Sequence, residues 1–276
     1  MISYPIDENV RMVKCSSALS QSGLPEFDYA LNPYIGCGHG CLYCYAPDII
    51  RHQRGADWGT WVEAKSNISR ILRKEVRRLE RGTIGLSSVT DPYQPLEERL
   101  CLTRSCLEVL RGADFPLIVM TKSALVERDF DILKEFEEVK IWVTISTSNE
   151  KLAGLIEPHA ANPAQRLQLL KDAEREGFET TAMISPAMVC SEKPDSELMD
   201  LVDKISDTGC SNVFIDSLRL RSTAETRIRK FNDLKRGEDD FDIAALFEKS
   251  SIFRPGGLGA LLSRRYPDIR IELFGR

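Results

Sequence analysis

The strongest constraint on this chain is a regular alternation running from residue 29 to residue 216. Short apolar runs at 29–35, 83–89, 117–120, 140–146, 179–184 and 212–216 are separated by longer stretches with helical periodicity. In residues 67–81, Ile68, Ile71, Leu72, Val76 and Leu79 fall on one face, and Ser66 or Asn67 can cap the helix. Further helices read at 96–111, 125–136, 163–176, where Gly177 ends the pattern, and 196–207, which stops near Gly209. Strands alternating with helices of this length imply βαβ units and a parallel sheet, because parallel neighbours need a long crossover. In such architectures the reacting groups gather at the carboxyl ends of the strands. The segment following each apolar run is therefore where chemistry is expected.

The chain has 276 residues, enough for one large α/β domain or two small ones. A net charge of −5 argues against broad attraction to a nucleic-acid backbone. No apolar run approaches the roughly 20 residues of a membrane helix. The opening residues 1–8 show no basic region followed by an apolar core, so a cytoplasmic protein is expected. In that compartment the eight cysteines read as metal-binding, reactive or buried thiols rather than as bridges. No Gly-x-Gly-x-x-Gly follows an early strand and no Walker A motif occurs, which disfavours nucleotide binding of those kinds. Gly256-Gly257-Leu258-Gly259 follows a proline and reads as a loop. Residues 48–65, with Trp58 and Trp61, read as a surface excursion.

The segment after the first run is Gly36-Cys37-Gly38-His39-Gly40-Cys41-Leu42-Tyr43-Cys44-Tyr45-Ala46-Pro47. Three cysteines stand at C-x3-C-x2-C spacing, interleaved with glycines. Iron–sulfur clusters are held by cysteine thiolates at close spacings. A loop wrapping a cluster needs unusual backbone angles, which glycine adopts at least steric cost. A structural zinc site would need a fourth ligand, and only His39, inside the motif, and His52, eight residues past it, are at hand. Three thiolates rather than four would leave one iron of a four-iron cluster open to another ligand.

This stretch resembles the cluster loop of the radical S-adenosylmethionine (SAM) enzymes. The words Tyr34-Ile35-Gly36-Cys37 and Cys41-Leu42-Tyr43-Cys44-Tyr45-Ala46 are similar to the branch that contains spore photoproduct lyase. The resemblance covers roughly residues 28–220. It implies a partial (β/α)6 TIM barrel of the radical SAM type, with a lead-in at 1–26, a core domain at 27–220, and a C-terminal helical extension at 221–276 packed on the core. It also implies a [4Fe–4S] cluster on Cys37, Cys41 and Cys44 whose open iron binds the amino and carboxylate groups of SAM. The implied activity is reductive cleavage of SAM to a 5′-deoxyadenosyl radical that abstracts hydrogen from a substrate. A reducing partner such as ferredoxin or flavodoxin follows from that chemistry.

Within this frame the strand ends supply candidates for SAM. Ser88 and Thr90, in the word Thr90-Asp91-Pro92-Tyr93-Gln94-Pro95, can hydrogen-bond an ammonium or a carboxylate; turn chemistry is the competing reading. Lys122, directly after the third strand, can meet the SAM carboxylate, unless it is an ordinary surface lysine. Ser146 follows the fourth strand and suits ribose hydroxyls. Glu157-Pro158 and Arg166 resemble the family's Glu-Pro…Arg pattern, which would bring Arg166 to SAM from the fourth helix. Tyr43, between two cluster cysteines, offers its backbone to the adenine.

The resemblance breaks at one place. The lyase carries a hydrogen-donating cysteine just before its Ser/Thr-Asp pair, whereas this chain has Ser87, Ser88 and Val89 there. A hydroxyl O–H is much harder to abstract from than a thiol S–H. Tyr45 and Cys190 are the remaining catalytic candidates, and Cys101 and Cys106 read as core thiols. The missing thiol keeps two other readings open: a non-catalytic iron–sulfur sensor of nucleic acid or protein, and a DNA repair lyase of the spore photoproduct type. The run Arg219, Arg221, Arg227, Arg229, Lys230, Lys235 and Arg236 could bind phosphates, but Glu225, Glu238, Asp239 and Asp240 favour a solvated helix face.

Overall fold

The computed structural model describes residues 9–50, 57–234 and 242–274. Its elements are β1 (Val10–Val13), β2 (Leu19–Gln21), β3 (Tyr29–Leu31), β4 (Tyr34–Ile35), α1 (Ala46–Ile50), β5 (Val62–Lys65), α2 (Ile68–Glu75) and β6 (Ile84–Leu86). There follow α3 (Glu97–Leu100), α4 (Leu102–Leu110), β7 (Leu117–Thr121), α5 (Phe130–Leu133), β8 (Val139–Thr144), α6 (Glu150–Ile156), α7 (Pro163–Arg175) and β9 (Glu179–Ile184). The chain continues through α8 (Pro194–Ser206), β10 (Asn212–Asp216), α9 (Ser222–Leu234), α10 (Ile243–Ile252), α11 (Gly259–Arg265) and β11 (Arg270–Phe274).

Eight strands form one open sheet in the order β11-β10-β9-β8-β7-β6-β3-β2. Every neighbouring pair is parallel except β2 and β3. The six expected β/α units are all present. The parallel run gains one strand at its far edge, since the expected helical extension returns to the sheet as β11. That strand alternates exposed and half-buried residues, Arg-Ile-Glu-Leu-Phe, as a charged edge strand does, so no continuous apolar run announces it.

Val119, Ile141, Val143, Ala182, Ile184, Val213 and Ile215 share one core with helix residues such as Leu107, Leu110, Leu169 and Leu170. α8 shows the periodicity behind this packing. Its Leu198, Leu201, Val202 and Ile205 are all buried, and burying such side chains stabilises by roughly 1.5–3 kcal/mol each. The opposite face carries a smaller apolar group of Phe27, Ala30 and Ile118, with Met120 and Trp142 against it.

Several local readings change: the helix expected at 125–136 is a 3-10 turn at Ala124–Asp129 followed by the short α5, and Asn67 makes no side-chain cap bond to α2. The first strand, expected at 29–35, splits at Pro33, which has no N–H to give a ladder. β3 stays in the main sheet, while β4 pairs antiparallel with β5 in a three-stranded sheet of order β1-β5-β4. Residues 48–65 are not a surface excursion throughout, because Trp61, Val62 and Ala64 are buried. The helix at 96–111 breaks into α3 and α4 at Cys101, which adopts φ +50°. Pro255–Leu258 is a 3-10 turn rather than a loop. His52, Lys235, Arg236, Glu238, Asp239 and Asp240 lie outside the described residues. No helix among the described residues is long and apolar enough to cross a membrane.

Candidate active site

The thiol loop leaves β4 at Ile35 and turns through Gly36 at φ +85°, where a Cβ would sit 2.7 Å from the Trp61 carbonyl oxygen. Farther along, Gly59 backs directly onto Gly40. A Cβ at Gly59 would lie 2.6 Å from the Gly40 Cα, and its φ of +92° already disfavours side chains. Gly59→Ala should therefore store about 1–3 kcal/mol of backbone strain before any clash is counted. The expected result is a lower melting temperature and less iron bound per chain after reconstitution. Wild-type values of both would show that the Gly40–Gly59 approach does not shape the loop.

Cys37 and Cys41 are buried, Cys44 is half-buried, and all three are free thiols. Burial raises the pKa of each above that of an ordinary thiol. Asp91 and the neighbouring thiols add to the effect at Cys37, and Cys41 is pushed up to about 12 against the pull of Lys122. Thiolates would therefore form together with metal binding, which displaces the protons. No three His, Cys, Asp or Glu side chains among the described residues converge to hold a single metal ion. A four-iron cluster makes a different demand, because each thiolate takes its own iron.

The segment after β6 staples this loop in place. Thr90 Oγ1 donates to the Gly36 carbonyl at 2.6 Å and accepts from Gln94 Nε2 at 3.1 Å. The other end of the fully buried Gln94 amide accepts the Gly38 N–H at 2.8 Å. Asp91 accepts from the Tyr93 N–H, from Thr121 Oγ1 and from the Lys122 N–H at 2.8–2.9 Å, and it faces His39 Nδ1 at 3.4 Å. Burial alone would raise the Asp91 carboxyl. The His39 imidazole, the Lys122 N–H and the Lys122 ammonium outweigh it and hold the group at about 2.

Beside the loop lies a second buried network. The Tyr43 hydroxyl is 3.0 Å from Ser146 Oγ and donates to the Glu157 carboxylate. Glu157 in turn accepts from Arg166 Nη2 at 2.5 Å. Arg166 also donates to the Ala161 carbonyl at 2.7 Å and the Thr144 carbonyl at 3.0 Å, and both ion-pair partners are almost wholly buried. Burial would raise the Glu157 carboxyl, but Arg166 and Lys122 pull it below its ordinary value. Lys122 Nζ lies 5.8 Å from the centroid of the Tyr43 ring. Burial would lower its pKa, yet Cys41, Glu157 and Asp91 hold it above the ordinary value.

The structure thus sorts the candidates from the sequence. Tyr43, Ser146 and Arg166 belong to one hydrogen-bonded network, and the Thr90 hydroxyl is occupied by the loop itself. Lys122 Nζ and Ser88 Oγ make no hydrogen bond among the described residues. Tyr45 is exposed and donates to the Ser88 carbonyl at 2.6 Å. Cys190 lies on the segment after β9, where Glu197 accepts its S–H at 3.2 Å. Burial and then Glu197 push that thiol up to about 11, so it stays protonated. Two further hydroxyls, Ser87 Oγ and Ser217 Oγ, are buried and unpaired at the carboxyl ends of β6 and β10.

Three residues central to this geometry were not singled out as site residues in the sequence. Gln94 and Glu157 sit inside recognisable words, and a polar residue in a word at a strand end was the signal available. Arg227 had none. It donates to the Leu42 and Cys44 carbonyls from 183 residues beyond Cys44.

Fold and loop together define a class: an open α/β protein, parallel but for one edge pair, in which the chain passes from β3 through β4 into a thiol-bearing loop. The family model of the Radical SAM superfamily matches residues 31–214, and the chain belongs to that superfamily. The uncharacterized protein MJ0683 of Methanocaldococcus jannaschii is 33% identical over 175 residues, which are 63% of this chain and 66% of that protein. The uncharacterized protein Mb2609c of Mycobacterium bovis is 30% identical over 223 residues, 76% of this chain and 65% of that one. The chain thus spans just under two thirds of these relatives' length. A double mutant of spore photoproduct lyase, with bound AdoMet and dinucleoside spore photoproduct, superimposes with a TM-score of 0.66 at 15% identity. That match covers 96% of this chain and 82% of the lyase. Enzymes of this superfamily use a [4Fe–4S] cluster and SAM and need an electron donor. The residues present fit both groups. Three free thiols share one stapled loop, and a lysine ammonium and unpaired hydroxyls lie at the neighbouring strand ends.

Proposed function

We propose that this chain is a radical SAM enzyme in which Cys37, Cys41 and Cys44 hold the cluster and the strand ends beside them hold SAM. The observation that carries the reading is the stapled loop: buried Gln94 and half-buried Thr90 hold the backbone of Gly38 and Gly36 on either side of Cys37, and buried Asp91 faces the His39 side chain. Held by Cys37, Cys41 and Cys44, a reduced cluster would supply the electron for reductive cleavage of SAM, the source of the radical for hydrogen abstraction from substrate. The protein's own part is binding, orientation and exclusion of side reactions.

Lys122 faces the SAM carboxylate as a half-buried cation, and Ser88, with the orphaned Ser87 and Ser217 hydroxyls, supplies polar contacts around it. Tyr43, Ser146, Glu157 and Arg166 form the firm wall behind that site. Thr90 acts on SAM indirectly, by holding Gly36. Tyr45, open at the lip of the site, and Cys190, kept as a thiol by Glu197, are the hydrogen-donor candidates. The electron donor is a small reducing protein such as ferredoxin or flavodoxin, and the protein works in the cytoplasm.

Anaerobic reconstitution should load about four irons per chain, and reductant plus SAM should then yield 5′-deoxyadenosine. Cys41→Ala should abolish both. Near-zero iron, or clean occupancy by zinc, would sink the reading. The serine-containing stretch Ser87-Ser88-Val89, where the lyase has its donor thiol, favours a second reading as a cluster-bearing sensor without turnover. Steady 5′-deoxyadenosine formation that is lost in Cys41→Ala contradicts that alternative.

A further inference from the structure

The basic stretch after β10 read as a solvated helix face. The structure instead lays α9 across the outside of the thiol loop. Thr223 and Ser222 hydrogen-bond Asp48 of α1, and Lys230 pairs with Asp57 at 2.6 Å. Ile228 packs with Cys41, Leu42 and Tyr43 in one apolar cluster. Between these contacts the Arg227 guanidinium turns inward. Its Nε and Nη2 donate to the Leu42 carbonyl at 3.3 and 3.1 Å, Nη2 also reaches the Cys44 carbonyl at 2.5 Å, and Nη1 bonds Thr223 Oγ1 at 3.3 Å.

We propose that Arg227 is a positioning residue that clasps the thiol loop and raises the reduction potential of the cluster held there. The inference rests on the reading of Cys37, Cys41 and Cys44 as the cluster's thiolates. Three features support it. Arg227 is half-buried, so water screens its charge less than that of Arg221 or Arg229, which are exposed. It makes no direct ion pair with a carboxylate among the described residues; the Asp48 carboxylate acts on it at longer range, beyond Thr223. It also holds the carbonyls of a ligand residue and of the residue following another ligand, both thiols lying within its electrostatic reach.

A cluster gains one negative charge on one-electron reduction. A fixed cation nearby stabilises the reduced form more than the oxidised form. Iron–sulfur potentials respond to net charge, hydrogen bonds to the sulfurs and exposure; Arg227 brings a charge to this loop and covers it, while its hydrogen bonds go to the backbone carbonyls. An arginine suits the task because its planar fork spans two carbonyls and it is never deprotonated in proteins.

The test is a redox titration of the reconstituted holoprotein, followed by electron paramagnetic resonance, with iron content measured on the same samples. Arg227→Gln keeps some hydrogen bonding and removes the charge. Arg227→Lys keeps the charge and loses the fork. The Gln variant should hold full iron with its reduced-to-oxidised ratio at a fixed poise lowered about tenfold, a shift of about 59 mV for one electron. The Lys variant should titrate near wild type. Loss of iron in Gln alone, with Lys fully loaded, overturns the claim about the potential and makes Arg227 a charge-dependent clasp. A Gln variant with full iron and the wild-type potential overturns the proposal, as does a shifted Lys variant. Loss of iron from both variants, with the wild type fully loaded, reduces Arg227 to a structural clasp. Absence of iron from the wild type itself would instead defeat the assignment of the thiols.

Discussion

Arg166→Ala should destabilise the fold by about 3–5 kcal/mol, the usual cost of removing one partner from a buried ion pair. The guanidinium bonds Glu157 and two backbone carbonyls, and neither it nor Glu157 has access to water. Truncation leaves a carboxylate buried with only Tyr43, Ser146 and the more distant Lys122 as favourable neighbours. The pH dependence supplies a signature. In the wild type, burial would raise the Glu157 carboxyl, but Arg166 and Lys122 hold it below its unfolded value. Its contribution is therefore present above the ordinary carboxylate pKa and lost as pH falls through the depressed one. Without Arg166, burial dominates and the folded-state pKa rises above the unfolded one. The variant then binds more protons folded than unfolded, and its deficit relative to wild type should shrink as pH falls from 7 toward 4. Denaturant unfolding of both proteins across that range checks this. A deficit that stays constant or grows on acidification would mean that Glu157 is not the group left stranded.

Lys122→Ala should weaken SAM binding by roughly 30-fold, about 2 kcal/mol at 1.4 kcal/mol per tenfold. Removing one partner of a desolvated, hydrogen-bonded charge pair commonly costs at least that much. The half-buried ammonium is held charged by Cys41, Glu157 and Asp91 and makes no hydrogen bond among the described residues. A ligand carboxylate would complete its surroundings with a charge-assisted bond. Iron loading should stay normal, because Lys122 is not a ligand. The measurement is perturbation of the cluster's paramagnetic signal by added SAM, with iron content as the control. Unchanged affinity in a fully loaded variant would move the carboxylate site to the hydroxyls of Ser88, Ser87 and Ser217. Arg166 and Lys122 entered together from the sequence as two cations for SAM. The structure separates them, because one already has its carboxylate and the other has no hydrogen bond to one.

Much of the architecture was legible in the linear chain. The apolar run Leu117–Thr121 appears as a strand because it is central in a parallel sheet and buried on both faces, and Glu179–Ile184, also central, alternates buried and more exposed residues. The strand β11 was not legible, since an edge strand carrying Arg270 and Glu272 has no apolar run to show. Nor was the break at Pro33, because a proline near the end of an apolar run does not say which sheet the residues after it will join. The cysteine spacing was local and was read directly. The same holds for Thr90-Asp91-Pro92-Tyr93-Gln94 as a word, though not for its work: Gln94 reaches back 56 residues to Gly38.

What the sequence determined by itself was the class of fold, the thiol loop and the strand ends where chemistry gathers, because periodicity and close spacing are properties of neighbours in the chain. The partner of each charge, by contrast, came from contacts between distant parts of the chain. Arg166 and Arg227 look alike on paper as helix arginines. One is sealed against Glu157 and the other clasps two loop carbonyls, because the sheet order and the path of α9 bring together groups that lie far apart in sequence. A charge takes its role from the atoms within a few ångströms of it, and those atoms are chosen by the fold.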